Sequence, residues 1–309
     1  MTATATRSEA PAGPRKRPGR GRRAQYRLAP LALAGVSIVL FLVFFVWPGG
    51  LGLIYSFTDY SGIGTPEFIG TDNYEQLFSD PTFYDSLTRT LLFAVISVPL
   101  MYVMSLSIAA LVVSNYAKGS SFAKVVFFFP WLISPIVAGV VWRWMFGESF
   151  GFVNYVISRL GADPLAWQTD PDLALMVVVI AATWGGTAFN MLIFIAALKN
   201  VPRAYYEAAE IDGANAWQRF RHITLPSIAP TSFLVILLSS LGAMKEFAMV
   251  QALNGGGPGT SNVMIIQYIY ETGFKRADIG YASAVSMILL LILLTIALVQ
   301  MAVNRRRSA

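Results

Sequence analysis

Six long apolar runs leave few folds open to this chain. They lie at roughly Leu31–Phe57, Leu87–Val113, Phe122–Phe146, Leu173–Leu198, Ser227–Leu253 and Tyr281–Val303. Each supplies the ~20 mostly apolar residues that carry a helix across a hydrocarbon layer. In hydrocarbon every backbone N–H and C=O needs a partner inside the protein, so runs of this kind are expected as helices. The expected fold class is an all-α polytopic membrane protein with six transmembrane helices. Charge usage agrees, since only 13% of the residues are charged, about half the share in a typical globular domain. Mean hydropathy is +0.57. The first run is too long for a cleaved signal peptide, and no A-x-A site follows it.

The connections between runs differ in sign. The N-terminal tail carries Arg7, Arg15, Lys16, Arg17, Arg20, Arg22, Arg23 and Arg27. Lys118, Lys124, Lys199, Arg203, Arg219, Arg221 and Arg305–Arg307 lie in the second, fourth and last connections. The alternate connections hold Arg159, Lys275 and Arg276, with acids from Asp59 to Asp85, Glu148 to Asp172, and Glu271 and Asp278. Basic residues stay on the cytoplasmic side, so both termini are expected there. The expected organisation is a disordered basic cytoplasmic tail at 1–27, rich in Pro, Gly and Arg, that suits anionic lipid. A first transmembrane helix with its outer connection follows at 28–86. A five-helix core spans 87–303 with a cytoplasmic loop at 200–226, and a basic cytoplasmic C-terminus closes the chain at 304–309. The bilayer is a partner, and nucleic acid is not expected as one.

Several chemistries lack their parts. The chain has no cysteine and a single histidine, His222, so thiol catalysis and the usual multi-histidine metal sites are excluded. No Ser/His/Asp set or carboxylate pair is placed for catalysis, and the chain is not expected to be an enzyme. The one Gly-rich loop, Asn254–Thr260, lacks the lysine that a phosphate-cradling loop requires. No cofactor is expected in this chain. No series of buried carboxylates suggests a proton relay.

Polar residues inside the spans mark a candidate pathway. Trp184, Gly186 and Asn190 fall at mid-depth in the fourth run, beside Gly185, Thr183 and Thr187. Two readings stand: close helix packing with a cross-helix hydrogen bond, or a polar path at a glycine-interrupted span. Ser239 and Ser240 of the fifth run could add hydroxyls to the same cavity. Lys245 and Glu246 form either a structural charge pair or part of that path. Arg143, between Trp142 and Trp144, reads first as an interfacial anchor. An uncharged lining of hydroxyls and aromatics would suit a neutral polar solute such as a sugar.

The loop at 200–226 is charged, yet lies between two apolar runs. Asn200 is a candidate cap with Pro202 in the first turn of a helix. Arg203 and Glu207 are spaced to pair along it. Gly213 suits a left-handed position that ends it. Asn215 could cap a second short helix with Trp217 and Phe220 on one face, ending at Leu225-Pro226.

Within this loop Glu207-Ala208-Ala209, Gly213 and Ile223-x-Leu225-Pro226 stand at the spacing of the EAA signature. The chain thereby resembles the membrane subunits of binding-protein-dependent ABC importers, with their MetI-like transmembrane fold. FIGTDNYEQLFSDPTFYDSLTRT (68–90), FFFPWLISPIVAGVVWRWMF (127–146) and LNGGGPGTSNVMIIQYIYETGF (253–274) look like the carbohydrate, MalF/UgpA-like branch. The resemblance covers roughly residues 40–303. It implies that Glu207, Ala208, Ala209, Gly213, Ile223, Leu225 and Pro226 form the loop that docks on a separate ATPase. It also implies a second homologous permease, two ATPase subunits that bind the ATP and Mg, an extracytoplasmic solute-binding protein, and a bacterial plasma-membrane location. The implied function is import of a sugar or oligosaccharide by alternating access. A non-sugar solute, such as a polyamine, phosphate or glycerol-phosphate compound, is the alternative, with a stand-alone secondary transporter behind it.

Overall fold

The computed structural model describes residues 32–114 and 120–308. The basic tail expected at 1–27, and Lys118, lie outside the described residues. The chain divides into two units, one ending at Leu51 and one beginning at Gly52. The first run forms helix α1 (Ala32–Tyr55), with one widened turn at Leu42–Val46. The second unit is built from α2 (Asp72–Ser79), α3 (Pro81–Val113), α4 (Ser120–Leu132), α5 (Pro135–Met145), α6 (Phe152–Arg159) and α7 (Pro171–Lys199). It continues with α8 (Arg203–Ile211), α9 (Ala216–Ser227), α10 (Ala229–Ala243), α11 (Ala248–Leu253), α12 (Ile265–Tyr270) and α13 (Ile279–Ser308). The sole β feature among the described residues is an isolated bridge between Thr58 and Phe68.

The two longest core helices begin alike. Asp80 accepts from the Thr82 N–H at 2.8 Å, and Pro81 opens α3. Asp170 accepts from the N–H groups of Asp172 and Leu173, both at 2.9 Å, and Pro171 opens α7. In both, a side chain satisfies donors that the helix leaves free, and proline occupies a position whose N–H has no helical partner. Helices α3 and α7 then pack together through Phe93, Val98 and Met101 on one side and Val178, Ala181 and Ala182 on the other. Gly186 permits a close approach, since a Cβ there would lie 2.7 Å from the Met101 sulfur.

Two of the six expected spans are not straight. The third breaks between α4 and α5, which bend by 98°. The cause is local: Pro130 removes a backbone donor, and Ser134, which precedes Pro135, sits at φ −56°, ψ 136°. A residue before proline is pushed out of the helical region. The fifth, expected as one run from Ser227 to Leu253, is divided into α10 and α11 across Met244–Phe247. At its start α9 and α10 bend by 69° about Ile228. The last helix runs on past Val303 to Ser308.

The breaks let α5 and α11 meet. A Cβ on Gly139 would lie 2.6 Å from the Met249 carbonyl oxygen and 2.9 Å from the Ala252 Cβ. At the end of the bundle where α3, α7 and α13 begin, the glycine-rich loop is bound into the body. Asn262 donates to the Pro171 carbonyl at 2.8 Å, and Ile265 N–H donates to Thr90 Oγ1 at 2.9 Å. Tyr268 and Tyr281 both donate to Asp80 Oδ2, the latter at 2.9 Å. Burial raises the Asp80 pKa, but these hydrogen bonds and the one from Thr82 outweigh it and leave it below its ordinary value. Glu148 is likewise lowered, chiefly by the Gln168 N–H, with Thr169 adding two further donors.

Candidate functional site

The loop between α7 and α10 is two helices joined at a glycine. Gly213 has φ +78°, and its N–H bonds the Glu210 carbonyl at 3.1 Å while Ala214 N–H bonds Ala209 at 2.9 Å. That pair of bonds is a Schellman end, which needs a left-handed residue at this point. Asn215 caps α9 as expected, its side chain accepting from Gln218 N–H at 2.9 Å while Gln218 Oε1 accepts from Asn215 N–H at 2.8 Å. Trp217 and Phe220 stack with centroids 5.7 Å apart.

Other details of the loop differ from expectation. Asn200 ends α7 instead of capping α8, whose N-cap is Pro202 at φ −60°, ψ 130°. The salt bridge in this loop joins Arg219 to Glu210 at 3.1 Å, across the Gly213 turn; among the described residues Arg203 and Glu207 form none. Leu225-Pro226 does not end α9. The helix widens to an i−5 pattern over Phe220–Thr224 and continues to Ser227. Pro226 has no N–H to bond His222, so the turn before it is free to change register.

The loop has a buried side and an open side. Tyr206, Phe220, Ile223 and Leu225 pack against the cluster of Leu106, Met191, Phe194 and Ile228, and Tyr206 Oη pairs with Thr224 Oγ1 at 2.9 Å. Glu207, Ala208, Gly213 and Pro226 are exposed, and Ala209 is half-buried. Ile211 is 88% exposed and Trp217 66%.

Further along the bundle, α3, α4, α5, α7, α10 and α11 line a half-open cavity of about 760 Å³. Trp184, Gly186, Asn190, Ser239 and Glu246 line it, as do Trp131 and Phe189, which stack at 4.7 Å. Asn190 Nδ2 donates to Ser239 Oγ at 2.9 Å. Glu246 Oε1 accepts from the Met249 N–H at 3.3 Å. Ser240 and Lys245 are not in the lining. Ser240 donates to the Ile236 carbonyl at 2.7 Å and accepts from Gln300 Nε2 of α13 at 3.0 Å, whereas Lys245 is exposed. Among the described residues no salt bridge joins Lys245 to Glu246. Trp131 and Ala138 reach the cavity only because α4 and α5 fold back at Ser134. Pro130 and Ser134-Pro135 were the sequence signal for it. Arg143 and Trp144 line a separate cleft of about 500 Å³ with Phe150 and Gln168. The size of the larger cavity, and its largely apolar and aromatic lining with a few polar groups, are those of a site for a small organic solute.

Residues 77–308 match the family described as "Binding-protein-dependent transport system inner membrane component". The sn-glycerol-3-phosphate transport system permease protein UgpA of Pectobacterium atrosepticum is 32% identical over 88% of this chain and 92% of its own. The arabinooligosaccharides transport system permease protein AraP of Bacillus subtilis is 32% identical over 89% of this chain and 88% of its own. Among solved structures, one of a bacterial ABC transporter involved in the import of the acidic polysaccharide alginate superposes with TM-score 0.81. It covers 93% of this chain and 98% of that one at 24% identity.

Proposed function

The chain belongs to the inner membrane components of binding-protein-dependent transport systems, and on that premise we propose that the solute it passes is a sugar or oligosaccharide. It is a multi-pass membrane transport component, not an enzyme. The observation that carries the cargo reading is the cavity, whose lining brings together Trp131, Trp184 and Phe189 with Asn190 and Ser239. Aromatic faces suit the C–H faces of a pyranose, and the amide and hydroxyl suit its alcohols. AraP, which carries arabinooligosaccharides by its name, supports the same reading.

In this reading the chain forms half of the pore beside a second, homologous permease. Two ATPase subunits, which bind the ATP and Mg, meet the α8–α9 loop on the cytoplasmic side, and Glu207–Ala209, Gly213, Ile223, Leu225 and Pro226 transmit their closure. A solute-binding protein delivers sugar at the opposite end, and both termini are cytoplasmic. The buried aliphatic and aromatic side of the loop fixes it to α3 and α7, so movement of its open side moves the helices around the cavity. The non-sugar alternative draws on the glycerol-3-phosphate relative. The test is uptake by the complex purified through a tag on this chain and reconstituted with ATP, scored against a panel of saccharides, polyamines and phosphates. ATP-dependent uptake confined to saccharides supports the reading, and uptake confined to a polyamine or phosphate refutes it.

A further inference from the structure

Arg143 lies in the last turn of α5 and lines the cleft of about 500 Å³ with Val140, Trp144, Ser149, Phe150 and Gln168. This cleft is at the end of the bundle opposite the α8–α9 loop, because Gln168 just precedes the cap of α7 and α8 follows the other end of that helix. Among the described residues no carboxylate lines it and no salt bridge involves Arg143. Glu148, the nearest acid in sequence, accepts through Oε1 from the N–H groups of Gln168 and Thr169 and from the Thr169 hydroxyl. Gln168 Nε2 donates to the Arg143 carbonyl at 3.1 Å and ties the two sides of the cleft together.

The surroundings of the cleft have the character of a membrane interface. Helix α6, in the same connection, packs Ile157 inward and leaves Phe152, Tyr155 and Leu160 exposed, with the Arg159 guanidinium 5.2 Å from the Tyr155 ring centre. A short helix with such an aromatic, aliphatic and basic open face suits the level of lipid headgroups. Phe150, just before it, is 98% exposed. Leading away from the cleft, Val137, Val141 and Trp144 form one exposed stripe along α5, at spacings of four and three. A lone cation at the head of an apolar stripe complements an amphiphile with an anionic head.

We propose that this cleft binds the phosphate of a membrane phospholipid, with Arg143 as its cation and an acyl chain along Val137, Val141 and Trp144. The guanidinium presents a fork of N–H donors that matches two phosphate oxygens, and Ser149 adds a hydroxyl. The assignment is independent of the cargo, since Arg143 is outside the lining of the solute cavity.

For the test, the purified complex is stripped of lipid in a phosphate-free detergent. It is then titrated with a phosphatidylglycerol that carries a photoreactive diazirine in one acyl chain. After illumination, adducts on residues 137–150 are quantified by mass spectrometry, and they should saturate. With Arg143→Gln the half-saturating concentration should rise about tenfold, the effect of losing one charge-assisted contact. With Arg143→Lys it should rise less, because lysine keeps the charge but not the fork. Diacylglycerol of the same chains, which lacks phosphate, should compete poorly, and so should inorganic phosphate, which lacks chains. Unchanged half-saturation in the Gln variant, or diacylglycerol competing as well as unlabelled phosphatidylglycerol, overturns the proposal. Equal competition by inorganic phosphate makes the cleft a free-anion site and overturns the lipid assignment. Equal losses in the Lys and Gln variants would show that the arginine acts through packing, and refute the phosphate contact. If no adducts form there while Arg143→Gln weakens capture of the solute-binding protein, the cleft belongs to that partner and the proposal fails.

Discussion

Replacing Gly213 by alanine isolates the conformational demand of the loop. A Cβ at this position meets nothing within 4 Å, so the substitution adds no clash and removes no side-chain contact. What it adds is the cost of holding an L-residue at φ +78°, roughly 1–2 kcal/mol. The Schellman bonds from Gly213 and Ala214 at 3.1 and 2.9 Å depend on that conformation. They fix the angle between α8 and α9 and allow Arg219 to reach Glu210. A loss of about 1–2 kcal/mol changes a two-state population by roughly 5- to 30-fold. Transport by Gly213→Ala should therefore fall by a factor in that range, with the α3–α7 body intact. Gly213→Asn should fall less, because asparagine tolerates the left-handed region. The assay is ATP-driven solute uptake in proteoliposomes, alongside thermal stability of the purified complex. Full uptake by Gly213→Ala, or an Asn variant as impaired as the Ala one, would refute this reasoning.

Gly139→Ala should lower the melting temperature, since its Cβ would sit 2.6 Å from the Met249 carbonyl; overpacking of this kind costs about 1–3 kcal/mol, and a melt unchanged from wild type would show that α5 and α11 are not in close contact. A double-mutant cycle on Asn190→Ala and Ser239→Ala should return a coupling of about 0.6 kcal/mol, the usual worth of a hydrogen bond between membrane helices, for the bond at 2.9 Å. Asp80 has a lowered folded pKa, so its contribution is present above its unfolded value near 4 and is lost as pH falls through the folded one. Melting temperature should therefore drop on acidification below about pH 4, and Asp80→Asn should be less stable at pH 7 with a flatter acid limb. An acid limb as steep in the Asn variant would assign the titration to other groups.

The parts of the structure legible in the sequence are the local ones. The apolar runs Leu87–Val113 and Leu173–Leu198 marked helices α3 and α7, but their starts at Asp80-Pro81 and Asp170-Pro171 lie before the apolar residues begin. Gly213 and Asn215 were legible because their chemistry acts within one turn. The Glu210–Arg219 pair was not, because it forms across the turn that Gly213 makes, whereas the Arg203–Glu207 spacing suits a helix treated alone. The break before α5 had a signal in Pro130 and Ser134-Pro135, but hydropathy reads straight through it. The break at Met244–Phe247 has no proline at all; it coincides with the packing of α11 on Gly139, a tertiary contact. Of the candidate pathway, Trp184, Gly186, Asn190, Ser239 and Glu246 share one cavity. Ser240, next in sequence to Ser239, turns to α13 and Gln300, a choice of helix face that depends on which neighbours surround α10.

The central claim is that solute crosses the membrane through the cavity between α7 and α10. Gly185 lines it, and a Cβ there meets nothing within 4 Å, so Gly185→Cys places the chain's one thiol at its wall. Uptake and ATP hydrolysis are measured in the reconstituted complex before and after stoichiometric labelling with a bulky maleimide. The account predicts that labelling abolishes uptake while ATP hydrolysis continues. Undiminished uptake through a fully labelled cavity would contradict it.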